Sequence, residues 1–587
     1  MTLSTRRKFW STKPKLFCGL ALLVYLMSAA CTAIQDKPES IYEDDRPNIL
    51  WLVLEDASPT LAPYGDTTID TPNINRLAED GVTYTNVYSP SGVCSPSRAS
   101  LALGMYPSAI GANHMRTSSH TDITGLPVYE AVPPPQAKML SQYLRGHGYY
   151  TTNNYKTDYQ FKTPKNAWDE SGVFAHWRNR PQGKPFFSVV NFTTTHESGL
   201  FEPYGFRKIE SRHYFSDDAE RIAKLPTHPL DKTSEANTAI HLPKDTDFPI
   251  PSYLPDTPLV RRDMWKMYNN LAEADQQIGA VLAQLKEDGL LEKTVIFLYS
   301  DHGGPLPRQK RLIYDSGLKV PLIIRFPNAE NSGDMDDQMV NFVDFAPATL
   351  SLAGLRTPDH MHGKDFILND KDARKYIYAA ADRFDGFTDT IRAVKEKRYK
   401  YIRNYRPEQE YYLPVTYREK IPTMQELLRL RDEGNLSSEQ AQWFRESKEV
   451  DELYDTLADP HELNNLAQIP EYEEVLSRLK KEMDRWLNSI GDDPNRSELA
   501  MINTLWDGEI SQPETAAPEV AIIDGMISLS SETHGASISY KIIQNNYEPA
   551  AWALYSEPFK ATAGETLQIQ AHRIGYHESK IKLHPIP

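Results

Sequence analysis

Two stretches restrict the fold of this chain more than any other. Pro47-Asn48-Ile49-Leu50-Trp51-Leu52-Val53-Leu54 and Val295-Ile296-Phe297-Leu298-Tyr299-Ser300 are almost unbroken apolar runs without period-two alternation. That is the pattern of a strand buried on both faces of a largely parallel sheet. Phe186 to Phe192 is a third such run. A sheet covered on both faces needs helices, and residues 260 to 287 supply a long one, with Met264, Met267, Leu271, Ala274, Ile278, Val281 and Leu285 on its core side. The predicted class is α/β, a sheet sandwiched by helices.

The first two runs end in Glu55-Asp56 and in Asp301-His302. Carboxylates at the carboxyl ends of central strands lie where open α/β sheets place their ligands. Hard divalent cations take several oxygen ligands from separate segments, so the two pairs make plausible halves of one metal site. Read alone, Glu55-Asp56 is equally a helix cap following a strand. His302 is a nitrogen ligand and on ligand chemistry leans toward a transition metal.

Between the halves lies Gly92-Val93-Cys94-Ser95-Pro96-Ser97-Arg98-Ala99-Ser100-Leu101. The apolar residues after Cys94 read as a helix stopped by Gly104, which puts Cys94 at or just before a helix N-terminus. Backbone N–H groups and the helix dipole favour an anion there, and Arg98 adds a permanent charge. A lone cysteine in this setting is ordinarily structural.

Cys94-Ser95-Pro96-Ser97-Arg98 resembles the C-x-P-x-R signature of the type I sulfatases, whose cysteine is matured to formylglycine and whose aldehyde hydrate, held at a calcium ion, is the nucleophile. Further motifs in the same order carry the resemblance. They are Tyr64-Gly65-Asp66, Thr71-Pro72-Asn73 with Thr71 read as a helix cap, Lys310 to Pro321, and Glu452-Leu453-Tyr454-Asp455 through Asn465-Leu466-Ala467. The resemblance covers roughly residues 46 to 490 and implies an alkaline-phosphatase-like mixed sheet.

It also implies roles. The metal ligands would be Glu55, Asp56, Cys94, Asp301 and His302. Calcium is the expected ion, with magnesium or manganese left open. Arg98, Lys156 and Lys310 would face the sulfate, and His196 would protonate the leaving oxygen. His114 and Arg116, in a polar loop near the nucleophile, would contact sugar or a second sulfate. Three positions depart from the usual pattern: Glu55 replaces Asp, Asp158 replaces a histidine two residues after Lys156, and His302 replaces Asn.

Residues 1 to 31 read as an export signal, with Arg6, Arg7, Lys8, Lys13 and Lys15 before a short apolar core. Ser28-Ala29-Ala30-Cys31 resembles a lipobox, making Cys31 a lipidation site. The expectation is a periplasmic or outer-membrane lipoprotein touching membrane only through that anchor. The next expected units are a catalytic domain over 46–370, a C-terminal α+β subdomain over 371–510 and a β-sandwich over 513–587. Period-two alternation in Ile527-Ser528-Leu529-Ser530 and Thr566 to Ala571 marks the sandwich, which is similar to the immunoglobulin-like module of chitobiase-type glycosidases. Residues 197 to 257, irregular and rich in Pro and Lys, would wall the substrate cleft.

A net charge of -16 argues against nucleic acid, which needs a clustered basic face. The functional expectation is a sulfatase acting on a sulfated carbohydrate such as ulvan, after maturation by a formylglycine-generating or anaerobic sulfatase-maturing enzyme. The rivals are a phosphate or phosphonate ester hydrolase of the same superfamily and a non-catalytic glycan-binding lipoprotein.

Overall fold

The computed structural model describes residues 46–205, 239–369, 373–544, 549 and 551–587. The export signal with Cys31, and part of the 197–257 stretch, lie outside these residues.

The large sheet holds β1 (Asn48–Leu54), β2 (Val82–Tyr88), β3 (Tyr150–Asn154), β4 (Glu170–Ser171), β5 (Phe186–Phe192), β6 (Thr294–Ser300), β7 (Lys319–Arg325) and β8 (Asp334–Asn341). Their spatial order is β4-β3-β5-β1-β6-β7-β2-β8. Neighbours are parallel except at β7, which runs antiparallel to both β6 and β2. The sheet is therefore mixed, as expected. Every residue of β1, β5 and β6 is buried. Trp51 at the centre meets Phe187 and Tyr299 of the flanking strands edge-on, at 5.1 and 5.6 Å.

Register explains why distant segments converge. Leu54 pairs with Phe192 on one side and Ser300 on the other, and Asn154 pairs with Val190. Glu55-Asp56, Lys156, Thr193 to Glu197 and Asp301-His302 therefore leave one edge of the sheet together.

Helices α1 (Pro72–Glu79), α2 (Cys94–Leu103), α3 (Leu140–Gly146), α4 (Pro258–Glu287) and α5 (Phe345–Leu352) flank the sheet. Thr71 makes no side-chain cap. The Asp275 carboxylate of α4 instead accepts from the Asn73 and Ile74 N–H groups, at 3.3 and 2.8 Å. A buried acid from a neighbour satisfies the donors that the local hydroxyl was expected to take. Helix α2 begins at Cys94, as read from sequence, and ends at Gly104, whose φ of 66° closes it.

Beyond this body, β9 (Ile377–Ala381), β10 (Ile391–Lys395), β11 (Tyr399–Asn404) and β12 (Asp451–Asp455) form an antiparallel sheet in the order β12-β11-β10-β9. Helix α6 (Glu473–Ile490) packs Leu479, Met483 and Trp486 onto it. The last segment folds into two further antiparallel sheets of three and four strands around Ile527, Leu567 and Ile569. Among the described residues no helix is long and apolar enough to cross a membrane.

Candidate active site

Cys94 lies at the first turn of α2, its Sγ 3.3 Å from His302 Nε2. His302 Nδ1 stands 3.0 Å from the Gly303 carbonyl, so it donates there and turns Nε2 inward. Metal-binding histidines are held in this way, the second nitrogen fixing the tautomer of the first. The same Nε2 is 3.0 Å from Asp56 Oδ1. Burial alone would lower the His302 pKa, but Asp301, Cys94 and Asp56 push it up to about 10.

Asp56, Cys94, Asp301 and His302 each offer a ligand atom, all within 4.8 Å of one another and all buried. Asp56 Oδ1 meets His302 Nε2 and otherwise has no hydrogen-bond partner, so a cation beside it would offset the cost of burying that carboxylate. Asp56 also holds a left-handed backbone, φ 50°, strain that persists only when the surroundings impose it. Two carboxylates, an imidazole and position 94 fit a divalent cation.

Cations surround this group. Lys310 Nζ donates to Asp56 Oδ2 at 2.7 Å and lies 3.1 Å from Glu197. Burial would raise the Asp56 pKa, but Lys310, His196 and His302 hold it well below the usual carboxylate range. Lys156 Nζ is 3.0 Å from Glu55. His196 Nδ1 lies 2.8 Å from the Ser198 hydroxyl and 3.3 Å from its N–H, and Nε2 lies 3.4 Å from Lys310 Nζ.

These groups open into a cavity of about 850 Å³, within the range of small-molecule sites. Glu55, Cys94, Lys156, His196 and Lys310 line its inner part, and Arg116, Tyr155, Tyr417 and Lys420 are among its other wall residues.

Three expectations are corrected. Arg98 does not line this cavity. Its buried guanidinium donates to Asp301 at 3.0 Å and to Asn191 at 2.8 Å and lies 3.6 Å from Glu55, so it holds Asp301 in place. Glu55 stands outside the group of mutually close ligand atoms, because Lys156 and Arg98 draw its longer side chain toward themselves. His114 is buried away from the cavity, accepting from the Arg383 N–H at 3.3 Å and lying 3.6 Å from Glu498. Its neighbour Arg116 does reach the cavity, 3.5 Å from Asp158. Of the 197–257 stretch, Glu197 lines the cavity and residues 206–238 lie outside the described residues; Thr416, Tyr417 and Lys420 add to the wall.

Sequence reasoning missed Glu197 and Arg311, which form a two-pronged pair at 2.7 and 2.8 Å beside Lys310. They sit next to His196 and Lys310 in the chain, but adjacency carries no sign of which way a side chain turns. Asn191, one residue from the end of β5, was hidden by the apolar run around it.

A parallel-sheet edge carrying a candidate metal-ligand group, a buried cysteine at a helix N-terminus and converging cations suits an anionic substrate. The profile of the Sulfatase family matches residues 47–355, and that of the N-sulphoglucosamine sulphohydrolase C-terminal region matches 308–429. This chain belongs to the sulfatase family.

Among its relatives, an ulvan-active sulfatase of Formosa agariphila is 58% identical over 549 residues, 93% of this chain and 92% of that protein. The human N-sulphoglucosamine sulphohydrolase is 22% identical, over 75% of this chain and 89% of that one. A protein solved with its substrate D-glucosamine-2-N,6-O-disulfate aligns at TM-score 0.54 and 19% identity, over 77% of this chain and all of the other. It shares the fold.

Proposed function

We propose that this protein removes sulfate esters from ulvan or its oligosaccharides outside the cytoplasm, through a formylglycine made from Cys94. The observation that carries the reading is the position of Cys94, at a helix N-terminus, 3.3 Å from His302 and within the Asp56–Asp301–His302 group. The choice of ulvan rests on the 58% identical relative. The export signal and the lipidation of Cys31 rest on sequence alone.

Matured and hydrated, position 94 would supply the hydroxyl that attacks sulfur, and a calcium ion held there by Asp56, Asp301 and His302 would supply charge against the sulfate oxygens. The remaining work falls to side chains. Lys156 and Lys310, the latter with its pKa raised by Asp56, Cys94 and Glu197 against the effect of burial, neutralise the developing charge on the ester. Arg98 holds Asp301 in place. As the bond from sulfur to the sugar oxygen breaks, the His196 imidazole passes a proton to that oxygen, which leaves as an alcohol. Glu197 and Arg311 fix Lys310 from the opposite side.

A phosphonate monoester hydrolase from Silicibacter pomeroyi shares the fold at TM-score 0.50 and 16% identity, so fold does not separate the two chemistries. The test compares inorganic sulfate released from defined ulvan oligosaccharides with that from glycosaminoglycan oligosaccharides, alongside aryl sulfate against aryl phosphate. Release from ulvan fragments and preference for aryl sulfate are expected. Preference for aryl phosphate would overturn the reading.

A further inference from the structure

Lys310 and Arg311 belong to the long connection between β6 and β7, which also carries Asp301 and His302. Toward the cavity they meet Asp56 and Glu197. From behind, the same connection is gripped by the antiparallel sheet β9–β12. Lys400 of β11, fully buried, reaches the Asp315 carboxylate at 2.5 Å, Glu462 at 2.7 Å and the Ile313 carbonyl at 3.2 Å. Lys395 of β10 lies 3.1 Å from Asp315.

Arg308 donates to the His461 and Glu462 carbonyls at 2.8 and 2.9 Å and stacks 4.0 Å above the Tyr314 ring. The Tyr314 hydroxyl donates to that of Tyr411 at 2.6 Å, which donates to Glu452 of β12 at 3.0 Å. Between these anchors, Arg308 and Arg311 hold left-handed backbones, φ 64° and 75°. The Arg311 N–H donates to the Gly92 carbonyl at 2.6 Å, two residues before the nucleophile.

Buried charges are weak sources of stability, since well-packed apolar residues serve as well or better. Lys395, Lys400, Arg308, Glu452 and Glu462, all buried and all spent on one loop, are better accounted for by geometry than by stability. Left-handed arginines likewise persist only where the surroundings over-determine them.

We propose that Lys400, Glu462 and Tyr314 are positioning residues for sulfate transfer. The C-terminal sheet holds segment 308–315 from behind and so fixes Lys310 and Arg311 in the cavity. This rests on the role given to Lys310 under the proposed function.

A double-mutant cycle in the full-length, matured protein tests it. Lys400→Met and Tyr314→Phe are each made alone and on Lys310→Ala, and turnover of an aryl sulfate is followed. Tyr314→Phe removes only a hydroxyl, so it serves where Lys400→Met fails to fold. Each single variant is expected to lower kcat on the order of tenfold or more with KM changed much less, and to add almost nothing on Lys310→Ala. Where Lys310→Ala turns over too slowly, the same cycle is read as the affinity for inorganic sulfate by calorimetry. Full additivity, or unchanged kcat in Tyr314→Phe, would overturn the inference. A Lys310→Ala enzyme as active as the parent would instead overturn the proposed role of Lys310.

Discussion

Arg98→Met separates a residue that binds sulfate from one that holds the metal ligands. Its side chain is 5% exposed, 3.0 Å from an Asp301 carboxylate that is itself fully buried. Two further groups, Asn191 Oδ1 and Glu55, also lean on it. Removing one partner of such a pair leaves a buried charge uncompensated, at a cost of about 3–5 kcal/mol. The loss is read by urea unfolding of parent and variant followed by tryptophan fluorescence. Both are treated with chelator, because a bound cation would offset the freed carboxylates. Kinetically, kcat should fall while KM stays within roughly threefold, as for a group acting on the transition state through others. Arg98→Lys keeps one charge but cannot reproduce the three-way fork, so it should fall between. A destabilisation below about 1 kcal/mol would refute the reasoning, being that of an exposed pair. A variant whose KM alone rises would also refute it.

His196→Gln should cost an alkyl sulfate roughly 10²–10⁴ in kcat and an aryl sulfate with an acidic phenol far less, because only the poorer leaving group needs the proton. Equal losses on both would exclude proton donation by His196. Buried His572, whose Nε2 donates to the Tyr576 carbonyl at 3.1 Å, has its pKa pushed down to about 4 by burial. The unfolded chain binds that proton first, so stability present above pH 6.5 should fall as pH drops toward 4, by up to about 3 kcal/mol from this residue. Urea midpoints across that range should show a shallower pH slope for His572→Gln, and an identical slope would contradict the assignment.

The central strands were legible because a strand buried on both faces leaves an unbroken apolar run, and the meeting of Asp56 with Asp301-His302 was legible because parallel register brings strand ends together, whereas the turn of Glu55 toward Lys156 and Arg98 was not. Helix α2 was legible from Cys94 to Gly104 for a similar reason, having a start and a stop in its own sequence. The antiparallel course of β7 left no mark, since a buried strand has the same composition in either direction. The purpose of Arg98 was hidden because its partners, Asp301 and Asn191, are far away in sequence. His114 misled because a polar loop near Cys94 looks exposed, whereas Arg383 and Glu498, both more than 250 residues further along the chain, fold over it. The same holds for Lys400 and Glu462, whose meaning appears only when the C-terminal sheet meets the loop it grips.

The central claim is that position 94, converted from cysteine, does the chemistry. The most direct measurement pairs the mass of the peptide containing residue 94 with the rate of sulfate release, across preparations made with graded amounts of maturation enzyme. Rate should rise in proportion to the fraction carrying formylglycine and vanish when that fraction is zero, as it should for Cys94→Ala. Turnover by protein whose Cys94 is wholly unconverted, or by Cys94→Ala, would contradict the account.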